Sequence, residues 1–151
     1  MVTQNALKNI VVAVRDQLRT NIVGGTGYNY DLSHKQVQIG DYNPENIGKF
    51  PFVCVASARE TMDNEGLGPQ YVCSFELEIL GYVQTGSEDE ATDSALLEAA
   101  NLLSDIESAV LVDDTLGIRR VGGLSMDGTI GNYDRFAVCV LVLRGTYRQS
   151  G

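Results

Sequence analysis

Residues 136–143 read FAVCVLVL, eight apolar side chains in a row, and the strand-like character continues to Tyr147. A strand apolar on both sides has to be covered on both faces. Outward from this run, residues 71–83 alternate: Cys73, Phe75, Leu77 and Ile79 share one face, while Ser74, Glu76 and Glu78 share the other. That period of two marks an antiparallel strand with one buried face. Phe50-Pro51-Phe52 opens its partner, running to about Thr61, and Asp63-Asn64-Glu65-Gly66 with Gly68-Pro69 makes a polar hairpin tip.

Two helices flank these strands. Thr3 can cap the first, in which Leu7, Ile10, Val11, Val14 and Leu18 recur at spacings of three and four. Asn21 and Gly24-Gly25-Thr26-Gly27 stop it. The Asn-, Asp- and Gly-rich stretch from Tyr28 to Gly48 reads as a long loop or extended arm, with a short strand at Gln36 to Ile39. Ser87-Glu88-Asp89-Glu90 forms a capping box for the second helix, which runs to about Val112 with Leu96, Ala99, Leu103, Ile106 and Val110 facing the core. After Asp113-Asp114-Thr115-Leu116-Gly117, a weak strand near Ile118 to Leu124 and a turn around Asp127-Gly128 lead into the apolar run.

The expected fold is a single α+β domain over residues 1–151: a small antiparallel sheet, two helices packed on one face, and a long loop or arm after the first helix. Two helices on one side leave the other sheet face in need of cover from outside the domain. A second copy of the same chain is the nearest supplier.

Charge separates along the chain. Glu60 through Ile118 holds 14 acidic residues and no Lys or Arg; six basic and four acidic residues precede it, and five basic and two acidic follow. Without a basic stripe, specific nucleic-acid binding is disfavoured, and segregated charge suits steering and register between protein partners. No apolar run approaches the roughly 20 residues that span a bilayer, and the N-terminal stretch lacks signal-peptide character, so synthesis and retention in a cytoplasm are expected.

Chemistry is thinly represented. Cys54, Cys73 and Cys139 lie in apolar runs, an odd and widely spaced set that reads as buried thiols. His34, the only histidine, lies in the arm beside Ser33 and Lys35, and no nucleophile motif frames it. The glycine cluster at 24–27 lacks the Lys-Ser/Thr of a phosphate loop, and Asp113-Asp114 lacks the ligand pattern of a calcium loop. No catalytic, metal or cofactor site is expected, and the chain reads as a non-enzyme that acts through surfaces.

The order of elements resembles the tail-terminator proteins, also called tail-completion or minor tail proteins, of long-tailed bacteriophages. The pieces that carry the likeness are the amphipathic opening helix, Phe50-Pro51-Phe52-Val53, Arg59-Glu60 before an acidic hairpin, and Leu80-Gly81-Tyr82-Val83 before the capped helix. Asp105-Ile106 with Ala109, then Thr115-Leu116-Gly117, and the long last strand complete it. The likeness spans nearly the whole chain through arrangement more than through diagnostic residues. It implies a virion protein forming a ring, hexameric in such proteins, that ends tail-tube polymerisation and joins the tail to the neck. Its partners would be itself, the tail tube protein and a neck or head-completion protein, with DNA passing through the hole.

Within that expectation Tyr28, Tyr30 and Tyr42 of the arm, with Arg119, Arg120 and Arg144 of the basic end, are candidates for the subunit interface. Glu76 and Glu78 are candidates for an acidic lumen wall that DNA slides past. A neck connector or tail-tube subunit is the nearby alternative. A ferredoxin-like module holding a small molecule between helices and sheet is the alternative of a different class.

Overall fold

The opening stripe of apolar residues forms α1, Ala6–Asn21, which buries Ala6, Ile10, Val14 and Leu18, one residue per turn, as the sequence period requires. Past its end Gly25 and Gly27 adopt positive φ. The chain then forms β1 (Val37–Ile39), β2 (Phe52–Asn64), β3 (Gln70–Gln84), α2 (Thr92–Leu111), β4 (Ser125–Tyr133) and β5 (Phe136–Ser150). This computed structural model describes residues 6–64, 70–84, 92–113, 116, 123–133 and 135–150. Thr3, the capping box at 87–90 and the hairpin tip at 65–69 lie outside them.

One five-stranded sheet, ordered β1-β2-β3-β5-β4, carries the α+β fold. Four strands are antiparallel as expected, but β1 runs parallel to β2 through Val37–Val53, Gln38–Cys54 and Ile39–Val55, so the sheet is mixed. A parallel pair needs a crossover rather than a tight turn. Residues 40–51 supply it, which is why the stretch read as a loose arm is a connection with a fixed course.

α1 packs against β1 and β2, α2 against β3, β5 and β4, and the two helices touch. Beneath them Val53, Val55, Leu77, Ile79, Cys139, Leu141 and Leu143 are buried. Gly81 lies under α2: a Cβ there would stand 2.7 Å from Leu102 Cδ2 and 2.5 Å from Cys139 Sγ. The absent side chain is what lets helix and sheet approach. α2 presents Ala95, Ala99, Leu102, Ile106 and Ala109 to the sheet, while the expected core positions Leu96 and Leu103 are only half-buried. The helix is rotated towards its small residues because they allow the shorter distance.

The last hairpin differs from its reading. Residues 125–133 are a strand, not a turn at Asp127-Gly128, and they pair without a bulge from Ser125–Arg144 to Tyr133–Phe136. Of the strand expected at Ile118 to Leu124, residues 118–122 lie outside the described residues, and Gly123 and Leu124 carry no regular structure. Gly128 explains the misreading. Glycine punctuates turns in sequence, but here a Cβ would meet Leu103 Cδ2 at 2.8 Å, so it marks close helix approach inside a strand.

The other face of the sheet is covered in part by the chain itself, which corrects the expectation that only another molecule could do so. The arm is first tied to α2, where buried Asp105 accepts hydrogen bonds from Asn29 N (2.9 Å), Asn29 Nδ2 (3.0 Å) and Tyr30 N (2.9 Å). It then forms β1 along the sheet edge and turns at Gly40 (φ +130°), whose N–H reaches Val55 O at 2.9 Å. From there residues 41–50 cross the outer face. Tyr42 meets Phe52 edge-on with centroids 5.0 Å apart, and Phe50 stacks on Phe136 at 5.4 Å. A second, smaller core results: Phe52, Cys54 and Tyr82, with Ile47, Phe50, Ala56, Leu80 and Val138 against them.

Candidate functional site

Pairing register sets out the outer face row by row. Phe52, Tyr82, Val138 and Gly131 stand abreast, then Cys54, Leu80, Val140 and Thr129. A bulge at Ala56 keeps β2 in phase, so Ser57, Glu78, Val142 and Asp127 form the third row and Arg59, Glu76, Arg144 and Ser125 the fourth. Thr61, Ser74 and Thr146 follow. The face thus grades from aromatic, through aliphatic, to charged and then hydroxylated.

The arm roofs only the first part of it. Leu80, Val138, Val140 and Val142 remain half-buried. Between the arm and β4 lies a groove of about 610 Å³, lined by Asp41, Tyr42, Asn43 and Pro44 on one side and Thr129 to Tyr133 on the other, with Tyr82, Val138 and Val140 also lining it. Tyr133 at its rim is 61% exposed. The Tyr82 hydroxyl points to Tyr42 O at 3.4 Å. Burial, then the nearby Cys54, Asp41 and Glu78, push the Tyr82 phenol up to about 12, so it stays a neutral hydrogen-bonding group. Arg135 bonds Glu45 at 2.6 Å and lies 5.6 Å over the Phe136 ring, tying the arm to the β4–β5 turn.

In the charged row, Glu76 is shared. Arg59 Nε lies 3.4 Å from its Oε2, Arg144 Nε donates to its Oε1 at 2.8 Å, and Arg144 Nη1 reaches Asp127 Oδ2 at 2.6 Å. Hydrogen bonds to Asp127 and Glu76 raise the Arg144 pKa. Sequence had placed Glu76 on a lumen wall and Arg144 at a subunit interface; the ladder makes them direct neighbours, so they belong to one surface. Glu78 does share Glu76's face, one row nearer the apolar patch.

The arm tyrosines divide. Tyr28 and Tyr30 pack against the chain's own core, and the Tyr30 hydroxyl donates to Glu98 O at 3.2 Å, so both serve intramolecular docking. Burial, then Glu98 and Asp105, push the Tyr30 phenol up to about 12. Tyr42 alone of the three lines the groove. Arg119 and Arg120 lie outside the described residues. Thr129, Gly131 and Tyr133 were missed, because the turn expected around Asp127-Gly128 hid the strand that carries them.

Exposed His34 opens a short 3-10 turn, and the neighbouring Ser33 hydroxyl is bonded to Gln36 Oε1 at 3.0 Å. All three cysteines are buried and free. Burial pushes Cys54 up to about 11 and Cys139 up to about 12, and raises Cys73, away from the thiolate form. Among the described residues, no three His, Cys, Asp or Glu side chains gather as metal ligands, and no helix is long and apolar enough to cross a membrane. No family model and no curated protein sequence matches the chain.

Proposed function

We propose that this chain is a structural protein of a long-tailed bacteriophage virion, a ring subunit of the tail-terminator type at the head-proximal end of the tail tube. The observation that carries the reading is the half-covered apolar outer face, continuous with β4 at the sheet edge. Leu80, Val138, Val140 and Val142 stay half-buried where a domain complete in itself would close over them. β4 is nine residues long, without Pro, Lys or Arg, and among the described residues no strand pairs with its outer side. Such an edge invites another chain. The opposite edge is guarded: β1 has three residues, and Arg19 Nε and Nη2 donate to Val37 O at 2.9 and 2.8 Å.

One guarded and one open edge suit a head-to-tail ring, in which each patch meets a different patch on the next copy. Both edges belong to the basic end segments of the sequence, and the acidic residues 60–118 offer surfaces of opposite charge for them to meet. In the proposed role the ring stops tube growth, bears on a neck or head-completion protein, and lets DNA pass without specific grip. Light scattering and negative-stain microscopy of the pure chain test this. Closed rings, six chains in mass, are expected. Indefinite tubes would make it a tube subunit, and a monomer at every concentration would overturn both. The competing small-molecule module needs a pocket between helices and sheet, where Leu102, Ile106, Cys139 and Leu141 are fully buried instead.

A further inference from the structure

The groove is built unlike the rest of the outer face. Tyr42, Tyr82 and Tyr133 contribute aromatic surface to it, Asp41 contributes a carboxylate, and none of its lining residues is Lys or Arg. Arg135, two residues past Tyr133, is engaged by Glu45 and by the Phe136 ring. Glu78 adds negative potential from the next row, since it and Asp41 both act on the Tyr82 phenol. Aromatic faces carry negative charge density and attract ammonium and guanidinium groups, more strongly where water is partly excluded. An aliphatic floor of Val138 and Val140 suits the methylene stem behind such a group.

We propose that this groove receives a lysine or arginine side chain from a second copy of the chain, its charge over the tyrosines and against Asp41. The inference rests on the ring reading and locates one half of its seam. Charge complementarity selects the occupant. The groove is anionic, and the chain displays exposed cations on other elements, among them Lys8 of α1 and Lys35 of the first 3-10 turn. The site also adjoins the open β4 edge, so a neighbour approaching that edge arrives at the groove's mouth.

Gly131 allows a clean test. It lines the groove, its φ is not in the positive region, and a Cβ built on it meets nothing within 4 Å, so a larger side chain fills the groove without disturbing the fold. Ring assembly of the full-length wild type, Gly131→Leu, Asp41→Asn and Tyr133→Ala is measured by light scattering across a concentration series, with thermal unfolding of each as the folding control. Gly131→Leu should lose the ring, yet unfold at the wild-type temperature when both are compared at concentrations too low for assembly. Asp41→Asn and Tyr133→Ala should each weaken assembly roughly tenfold. If Gly131→Leu assembles like wild type, the groove is not part of the seam and this inference falls while the ring stands. If Gly131→Leu dissociates but Asp41→Asn does not weaken assembly, the occupant is uncharged and the proposed cation is wrong. A wild type that never assembles removes the ring reading and this inference with it.

Discussion

The two faces of the sheet share the same strands yet are finished differently. Under the helices, β3 and β5 bury Leu77, Ile79, Cys139, Leu141 and Leu143 at essentially zero exposure, and Gly81 gives up its side chain so that α2 can sit close. On the opposite side Leu80, Val138, Val140 and Val142, from the same strands, are only half-buried, and beside them Gly131 opens onto empty space. A glycine beneath a helix and a glycine beside a groove look alike in sequence and mean opposite things. The first marks a contact already made, and the second marks room for one. The helix face therefore stabilises the monomer, and the outer face is where a partner can add stability.

Substitutions should separate the faces by size of effect. Gly81→Val drives a side chain into Cys139 and Leu102 and should destabilise the monomer by about 3 kcal/mol, read by chemical denaturation. If it costs less than Val140→Ala, the assignment of faces is wrong. Asp105→Ala strips the acceptor from Asn29 N and Tyr30 N and should cost about 2 kcal/mol. Proteolysis within residues 28–48 should also speed up, because the arm loses its tie to α2. Val140→Ala should cost below about 1 kcal/mol in the free chain, a half-buried truncation, and any larger loss should appear only under assembling conditions. Arg59→Ala, at an exposed 3.4 Å pair, should cost under about 0.5 kcal/mol and lose even that in high salt.

The thiols give a pH test of both faces at once. Cys139 sits under the helices and Cys54 under the arm, with pKa values pushed up by burial to about 12 and about 11. An unfolded thiol releases its proton near 9 while the folded one holds it, so the unfolded state binds fewer protons above that pH. The thiols' contribution to stability should be level below about pH 8 and fall between about 9 and 12. At pH 8 a thiol reagent should modify neither residue until the chain unfolds. Rapid native modification at Cys54 alone would show that the arm lifts off its face.

Much of this was legible beforehand. α1, β2, β3 and α2 follow from periods of 3.6 and 2 within single segments, and so does the burial of three cysteines in apolar runs. What escaped was long-range. The direction of β1 depends on how residues 40–51 travel, β4 hid behind Gly128, whose purpose is a helix far away in sequence, and the pairing of Glu76 with Arg144 is a matter of register 68 residues apart. Tyr30 looked like an anchor for another molecule because its partner, Glu98 O, lies on an element that sequence alone does not bring near.

By itself the sequence determined that the chain is an α+β domain and that its last strand is apolar on both sides, because alternation and helical spacing are local properties. Only the tertiary structure decided how that second side is covered: the arm closes over Phe52, Cys54 and Tyr82 and stops short of Val140. Where a connection crosses a sheet depends on the direction and register of the strands it joins. No local pattern encodes that geometry, so the groove between Asp41 and Tyr133 exists only once the chain has folded.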